Sequence, residues 1–280
     1  MNKPTHQYID NAHYFEVNLQ LLVLTCELNK QQFRFDKLIS EFSPFNKKLF
    51  IRKILIDGLE CFFLNSGLNL SKLELLYLIT GNEKSGNEDK EKIANNFLSC
   101  LNKNEKIIAN HIEEIYLDTI IDLFLSNGNS SSYYKLLTKL YGETKSYVSI
   151  LFIEVAFKNK NELDELAKKE KCLNCYMTTF LYKLIKKIET SNAFVAECLN
   201  EIESIKNQKF TLISKTEEAI IKALIEANLF CDYGLTIDEI IECTKISKRS
   251  IIYTFNKLKE NRRLTKTQIG RNIYNKTNIY

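Results

Sequence analysis

Apolar residues recur at helical spacing in block after block along this chain, and the polar interruptions between blocks carry recognisable start and stop signals. YFEVNLQLLVLTCELNK, from Tyr14 to about Lys30, predicts a buried helix, and SPFNKKLFIRKILIDGLECFFLNSG a second, with Gly67 as its C-cap. Ser71-Lys-Leu-Glu74 is a capping box, whose hydroxyl and carboxylate satisfy orphan amides, and it opens a helix that stops at Gly81. GNEKSGNEDKE is a polar break. Helical periodicity resumes at KIANNFLSCL, continues through EKIIANHIEEIYLDTIIDLFLS and halts at Asn127–Ser132, the most loop-like stretch of the chain. YYKLLTKLYG, SYVSILFIEVAF, NELDELAKKEKCLNCYMTTFLYKLIKKIE and NAFVAECLNEIESIKN follow as further helices. The pattern breaks near Asn207–Thr211, and a second capping box, Ser214-Lys-Thr-Glu217, opens KTEEAIIKALIEAN. The expected division is an all-α body over residues 1–210 and a separate domain over 211–280.

Composition fits a mainly α, globular protein. Two prolines and eight glycines punctuate 280 residues, and 45% are hydrophobic. No run of 18 uncharged apolar residues appears and the N-terminus is too polar for a secretory signal, so a cytoplasmic protein without membrane contact is expected. The eight cysteines fall mostly within apolar helical patterns, as reduced structural thiols would. Cys172 and Cys175 have metal-ligand spacing, but Cys198 is the nearest third ligand and no second pair follows at finger spacing. His6, His13 and His111 belong to no catalytic motif, and no Walker loop or GxGxxG is present. Glu113, Glu114 and Asp118 read as a solvated acidic helix face. No catalytic residue, metal or cofactor is expected.

The C-terminal segment changes the picture. A third capping box, Thr236-Ile-Asp-Glu239, opens the short helix IDEIIECTK. After a turn at Ile246-Ser247, Ser247 caps KRSIIYTFNKLKENRR, whose Ile251, Phe255 and Leu258 mark the buried side. Past Leu264 the period shortens: TKTQIGRNIYNKTNIY sets β-branched and aromatic residues on either side of Gly270-Arg271-Asn272, a hairpin with a tight turn. Residues 243–280 contain ten Lys/Arg and one acid, Glu260, a local charge of +9. Subtracting +9 from the chain's +4 leaves −5 on residues 1–242. An acidic body with a strongly basic, structured tail points to a polyanion.

In element order and spacing, LTIDEIIECTKISKRSIIYTFNKLKENRRLTKTQIGRNIYN resembles the winged helix-turn-helix family, over roughly residues 214–280. It has Asn-Arg-Arg where many members have a glycine after the third helix. The resemblance implies a DNA-binding domain that reads double-stranded DNA with the helix 248–263 and a basic wing. Lys248 and Arg249 sit in a helical first turn, which the macrodipole makes unfavourable for cations unless an anion docks there. Lys248, Ser250, Tyr253, Asn256 and Lys257 are expected on the outer surface, with Arg249 and Asn256 as base readers. Arg271 at the wing tip would approach the minor groove or its phosphates, with Arg262, Arg263, Lys266 and Lys276 positioning the backbone and Lys245 completing the basic surface. The expected function is transcription regulation, with the helical body pairing as a homodimer or receiving a small-molecule or protein effector. Two alternatives stand beside it: a scaffold or adaptor subunit whose winged helix docks proteins, and a replication initiator of a mobile element.

Overall fold

The computed structural model describes residues 6–8, 14–65, 69–79, 148–169, 172, 174–208, 214–269 and 272–278. The elements in chain order are β1 (His6–Tyr8), β2 (Tyr14–Glu16), α1 (Leu19–Ser40), α2 (Pro44–Asn65), α3 (Lys72–Ile79), α4 (Val148–Lys158), α5 (Lys160–Lys169) and α6 (Asn174–Asn207). They are followed by α7 (Lys215–Asn228), α8 (Ile237–Thr244), α9 (Lys248–Glu260), β3 (Leu264–Ile269) and β4 (Asn272–Thr277). The described chain is mainly α, with a small antiparallel hairpin near the C-terminus. The helices expected between Lys92 and Gly142, the breaks at Gly81 and Asn127–Ser132, Gly67, His111, Glu113, Glu114 and Asp118 lie outside the described residues.

Two compact units divide the chain. One holds Met1–Lys37 and Ile54–Asn192, the other Leu38–Lys53 and Ala193–Tyr280, so α1, α2 and α6 each contribute residues to both. The C-terminal unit thus takes in more of the chain than the segment from residue 211 onward.

In the first unit, two expectations are corrected. Tyr14–Glu16 is a strand paired antiparallel with His6–Tyr8, and not the start of a helix. Asn18 supplies the reason: its Oδ1 accepts the Leu21 amide at 2.9 Å, capping α1 and leaving the aromatic residues before it extended. The Asn174 side chain holds this strand by accepting from Glu16 N at 2.7 Å and donating to Glu16 O at 3.0 Å. The second correction concerns α6. The expected helices 161–189 and 192–207 are divided differently: α5 ends at Lys169, and a single helix of 34 residues from Asn174 runs through Thr190–Asn192, about 50 Å long. Ser191 and Asn192 are buried, and Asn192 Nδ2 donates to Gln31 Oε1 at 3.1 Å. Asn192 is tolerated inside the helix because its amide nitrogen is hydrogen-bonded to both Gln31 Oε1 and Gln31 O. The capping box at α3 forms, with Ser71 N donating to Glu74 Oε2 at 2.8 Å. The apolar core of this unit centres on Phe35, Leu75, Leu76, Leu151, Tyr176, Phe180 and Leu184.

The second unit is built around α7, α8, α9 and the β3–β4 hairpin. Ser214 and Thr236 cap α7 and α8 through complete capping boxes, and Ser247 caps α9. Ile220, Leu224, Leu235, Ile240, Ile251 and Phe255 interlock as its core, each at most 2% exposed. The N-terminal half of α2 packs here as well. Phe42 and Phe50 meet Phe230 at centroid separations of 5.4 and 6.4 Å, both edge-on.

Candidate functional site

Each element of the basic surface is fixed by local chemistry. α7 and α8 open with acids in their first turns, Glu217 and Glu218 in one and Asp238 and Glu239 in the other. α9 has none, and presents Lys248 and Arg249 there instead. Ser247 Oγ accepts the Ser250 amide at 3.3 Å. Cations at this end raise the local positive potential that the helix dipole already supplies, at an energetic cost that an incoming anion reverses.

Ile251, Thr254, Phe255 and Leu258 turn inward, while Lys248, Arg249, Tyr253, Asn256 and Lys257 are exposed. Ser250 is half-buried. Ile252, which sequence reasoning passed over, is 41% exposed between Arg249 and Asn256 on the outward side. Its apolar character hid it, because periodicity assigns an isoleucine to the core unless neighbouring isoleucines compete for the same face.

The helix ends earlier than expected. α9 stops at Glu260 and not at Arg263. Arg262 takes the left-handed conformation at φ 56°. Its amide donates to Lys259 O at 3.0 Å, and the Arg263 amide to Leu258 O at 2.9 Å, the paired bonds of a Schellman turn. That position usually belongs to glycine, whose absence here is the departure noted in the sequence. Lys245, which ends α8, is also left-handed, at φ 59°. These two cations, flanking α9 at either end, are the only non-glycine residues with positive φ among the described residues.

The hairpin is anchored at its base. Leu264 pairs with Thr277 and Ile269 with Asn272, leaving Gly270 and Arg271 between the strands; both lie outside the described residues. Leu235 bridges to Asn275 by reciprocal backbone bonds of 2.9 and 2.7 Å, which makes β4 a strand flanked on both sides. Gly234 precedes that bridge at φ 82°, and a Cβ there would overlap the Asn275 carbonyl. Thr277 Oγ1 and the Asn278 amide both donate to Arg263 O, at 3.2 and 3.0 Å, so the backbone of Arg263 is pinned while its side chain is exposed. Lys266 is exposed and Lys276 half-buried.

Two ion pairs brace the surface from beneath. The capping-box glutamates of α7 and α8 each use one carboxylate oxygen for their own helix and the other for a cation from elsewhere. Glu217 Oε1 accepts Lys257 Nζ at 2.8 Å while Oε2 accepts the Ser214 amide. Those two hydrogen bonds, Lys257 first, hold the Glu217 carboxyl below the usual carboxylate range. Glu239 Oε1 accepts Arg52 Nη2 at 2.7 Å, with both side chains under 15% exposed. Burial alone would lower the Arg52 pKa, but Glu239 outweighs it and the guanidinium stays charged. Burial pushes the Cys231 thiol up to about 11 and the Cys243 thiol up to about 12, so both remain protonated at neutral pH.

Of the twelve residues expected to form a binding surface, Lys257 therefore gives part of its hydrogen-bonding capacity to Glu217. Lys245, Lys248, Arg249, Arg262, Arg263, Lys266 and Lys276 have no ion-pair partner among the described residues. Elsewhere in the described chain, cations such as Lys48, Lys72, Lys183 and Lys187 are paired at 2.7–3.0 Å. An unpaired cationic surface with a helix N-terminus in its midst can bind extended anions by charge and by backbone amides. Comparison with models of known protein families and with curated proteins finds no match for this chain.

Proposed function

We propose that the C-terminal unit acts as a winged helix-turn-helix that binds double-stranded DNA, and that the protein is a transcription regulator. In this reading α9 enters the major groove, Arg249 and Asn256 meet base edges, and Lys245, Lys248, Arg262, Arg263, Lys266 and Lys276 contact phosphates. Arg271, between the two strands, would reach the minor groove.

The observation that carries the reading is the placement of Lys245 and Arg262. A left-handed lysine or arginine costs roughly 1 kcal/mol relative to glycine. Both are cations, both flank α9, and neither has an ion-pair partner among the described residues. Strain retained beside a charged surface marks a functional demand on those side chains. The two positions bracket a helix of 13 residues, about 20 Å long, a span suited to the phosphate backbones on either side of a major groove about 12 Å wide.

A second reading, docking onto other proteins, draws on the exposed Ile252, Tyr253 and Ile273, at 41%, 68% and 50%. Fluorescence anisotropy on a random duplex at low salt separates the two. The wild type should bind, and a Lys248→Ala/Arg249→Ala/Arg262→Ala variant with unchanged circular dichroism should lose at least about tenfold in affinity. Equal binding by both would remove DNA recognition from this surface. A mobile-element replication initiator would bind in the same way, and the genomic position of the bound sequence distinguishes it. The homodimer and effector roles of the helical body are proposals of the same standing; a monomer at tens of micromolar by ultracentrifugation would refute the first.

A further inference from the structure

The outward face of α9 combines two chemistries that meet on only one kind of base pair. Counting by i, i+3 and i+4, Arg249, Ile252, Tyr253 and Asn256 form one contiguous patch, opposite the buried Ile251, Thr254, Phe255 and Leu258. Ile252 is 41% and Tyr253 68% exposed, and Arg249 and Asn256 are exposed too. None of the four makes a side-chain hydrogen bond within the described residues. Ile252 and Asn256 are one helical turn apart, so a branched aliphatic group and a free carboxamide project side by side. A β-branched side chain gains nothing from exposure on a helix, in propensity or in hydration.

In the major groove, adenine offers N6 and N7 to a carboxamide, and its partner thymine offers a 5-methyl group; a G·C pair has no methyl and presents a different donor–acceptor pattern. We infer that Ile252 and Asn256 together read A·T pairs, Asn256 by bidentate hydrogen bonds to adenine and Ile252 by apolar contact with a thymine methyl. This rests on the reading that α9 enters the major groove of duplex DNA, and it adds the class of sequence that the groove must carry. Arg249, a turn earlier, retains the chemistry to read a flanking guanine.

The test uses the full-length protein and four duplexes of equal length in anisotropy titrations: a random sequence, alternating dA·dT, alternating dA·dU and alternating dG·dC. Replacing thymine by uracil removes only the methyl group. The wild type should bind dA·dT about fourfold more tightly than dA·dU, the value of burying one methyl, and roughly tenfold more tightly than dG·dC. Ile252→Ala should bring the dA·dT to dA·dU ratio to one. Asn256→Ala should erase most of the preference for dA·dT over dG·dC. Equal wild-type binding to dA·dT and dA·dU would overturn the inference while leaving DNA binding intact, and so would a ratio that survives in Ile252→Ala. Failure to bind any of the four duplexes at low salt would overturn the DNA-binding reading itself, and the inference with it.

Discussion

Arg262 shows how a single backbone conformation separates stability from function. Because its φ of 56° is one that glycine adopts freely, Arg262→Gly should stabilise the fold by up to about 1 kcal/mol in chemical denaturation. The same change removes an unpaired cation, so duplex affinity should fall and its salt dependence should shallow by about one unit of slope. A variant that loses stability, or keeps full affinity, would deny Arg262 the role assigned to it. Gly234 makes the opposite case. Any Cβ there meets the Asn275 carbonyl, so Gly234→Ala should destabilise by at least about 2 kcal/mol, measured as a lower denaturation midpoint. The Glu217–Lys257 pair predicts a pH dependence. Since the folded Glu217 carboxyl titrates below its unfolded value, its contribution is present above the usual carboxylate pKa of about 4.3 and fades as pH falls through the lowered folded value. The stability difference between wild type and Lys257→Met should therefore hold steady from neutral pH to about pH 5 and shrink below it. A difference that grows with acid would contradict the pairing.

Elements whose signals are local could be read from the sequence. Three Ser/Thr-x-x-Glu boxes marked α3, α7 and α8, and all three close as expected. The hairpin also followed from the alternation on either side of Gly270-Arg271-Asn272, with the difference that Asn272 belongs to β4 and pairs with Ile269. What escaped were features set by distant partners. Within α6, the buried Asn192 donates to Gln31, 161 positions away. The anchoring of α8 depends on Arg52, 187 positions before Glu239, and nothing near Thr236 announces it. The end of α9 was misjudged because its left-handed residue is an arginine, and no glycine gave the stop signal. Arg52 offers a direct check on how α8 is held. Arg52→Ala leaves Glu239 half its partners in a site 12% exposed, so it should cost about 3 kcal/mol. A loss under about 1 kcal/mol would make the pair incidental.

For the molecule as a whole, the C-terminal unit is larger than the segment resembling a winged helix. Leu38–Lys53 and the end of α6 belong to it, and Phe42 and Phe50 cover Phe230. A fragment of residues 211–280 should therefore be markedly less stable than a protein retaining those segments, with exposed apolar surface detectable by dye binding; equal stability would return the boundary to residue 211. The charge asymmetry, −5 on residues 1–242 against +9 on residues 243–280, was visible from composition. Which of those charges stay unpaired was not, since that depends on where the carboxylates fold. Eight of the ten Lys/Arg in residues 243–280 have no ion-pair partner among the described residues, and each phosphate contact they make should release about one counterion. Duplex affinity measured across salt tests this most directly. Between about 50 and 200 mM, the wild type should lose about a thousandfold in affinity, for a slope near −5 on logarithmic axes. No binding at either concentration, or an affinity that does not change with salt, would mean that the basic surface does not serve DNA.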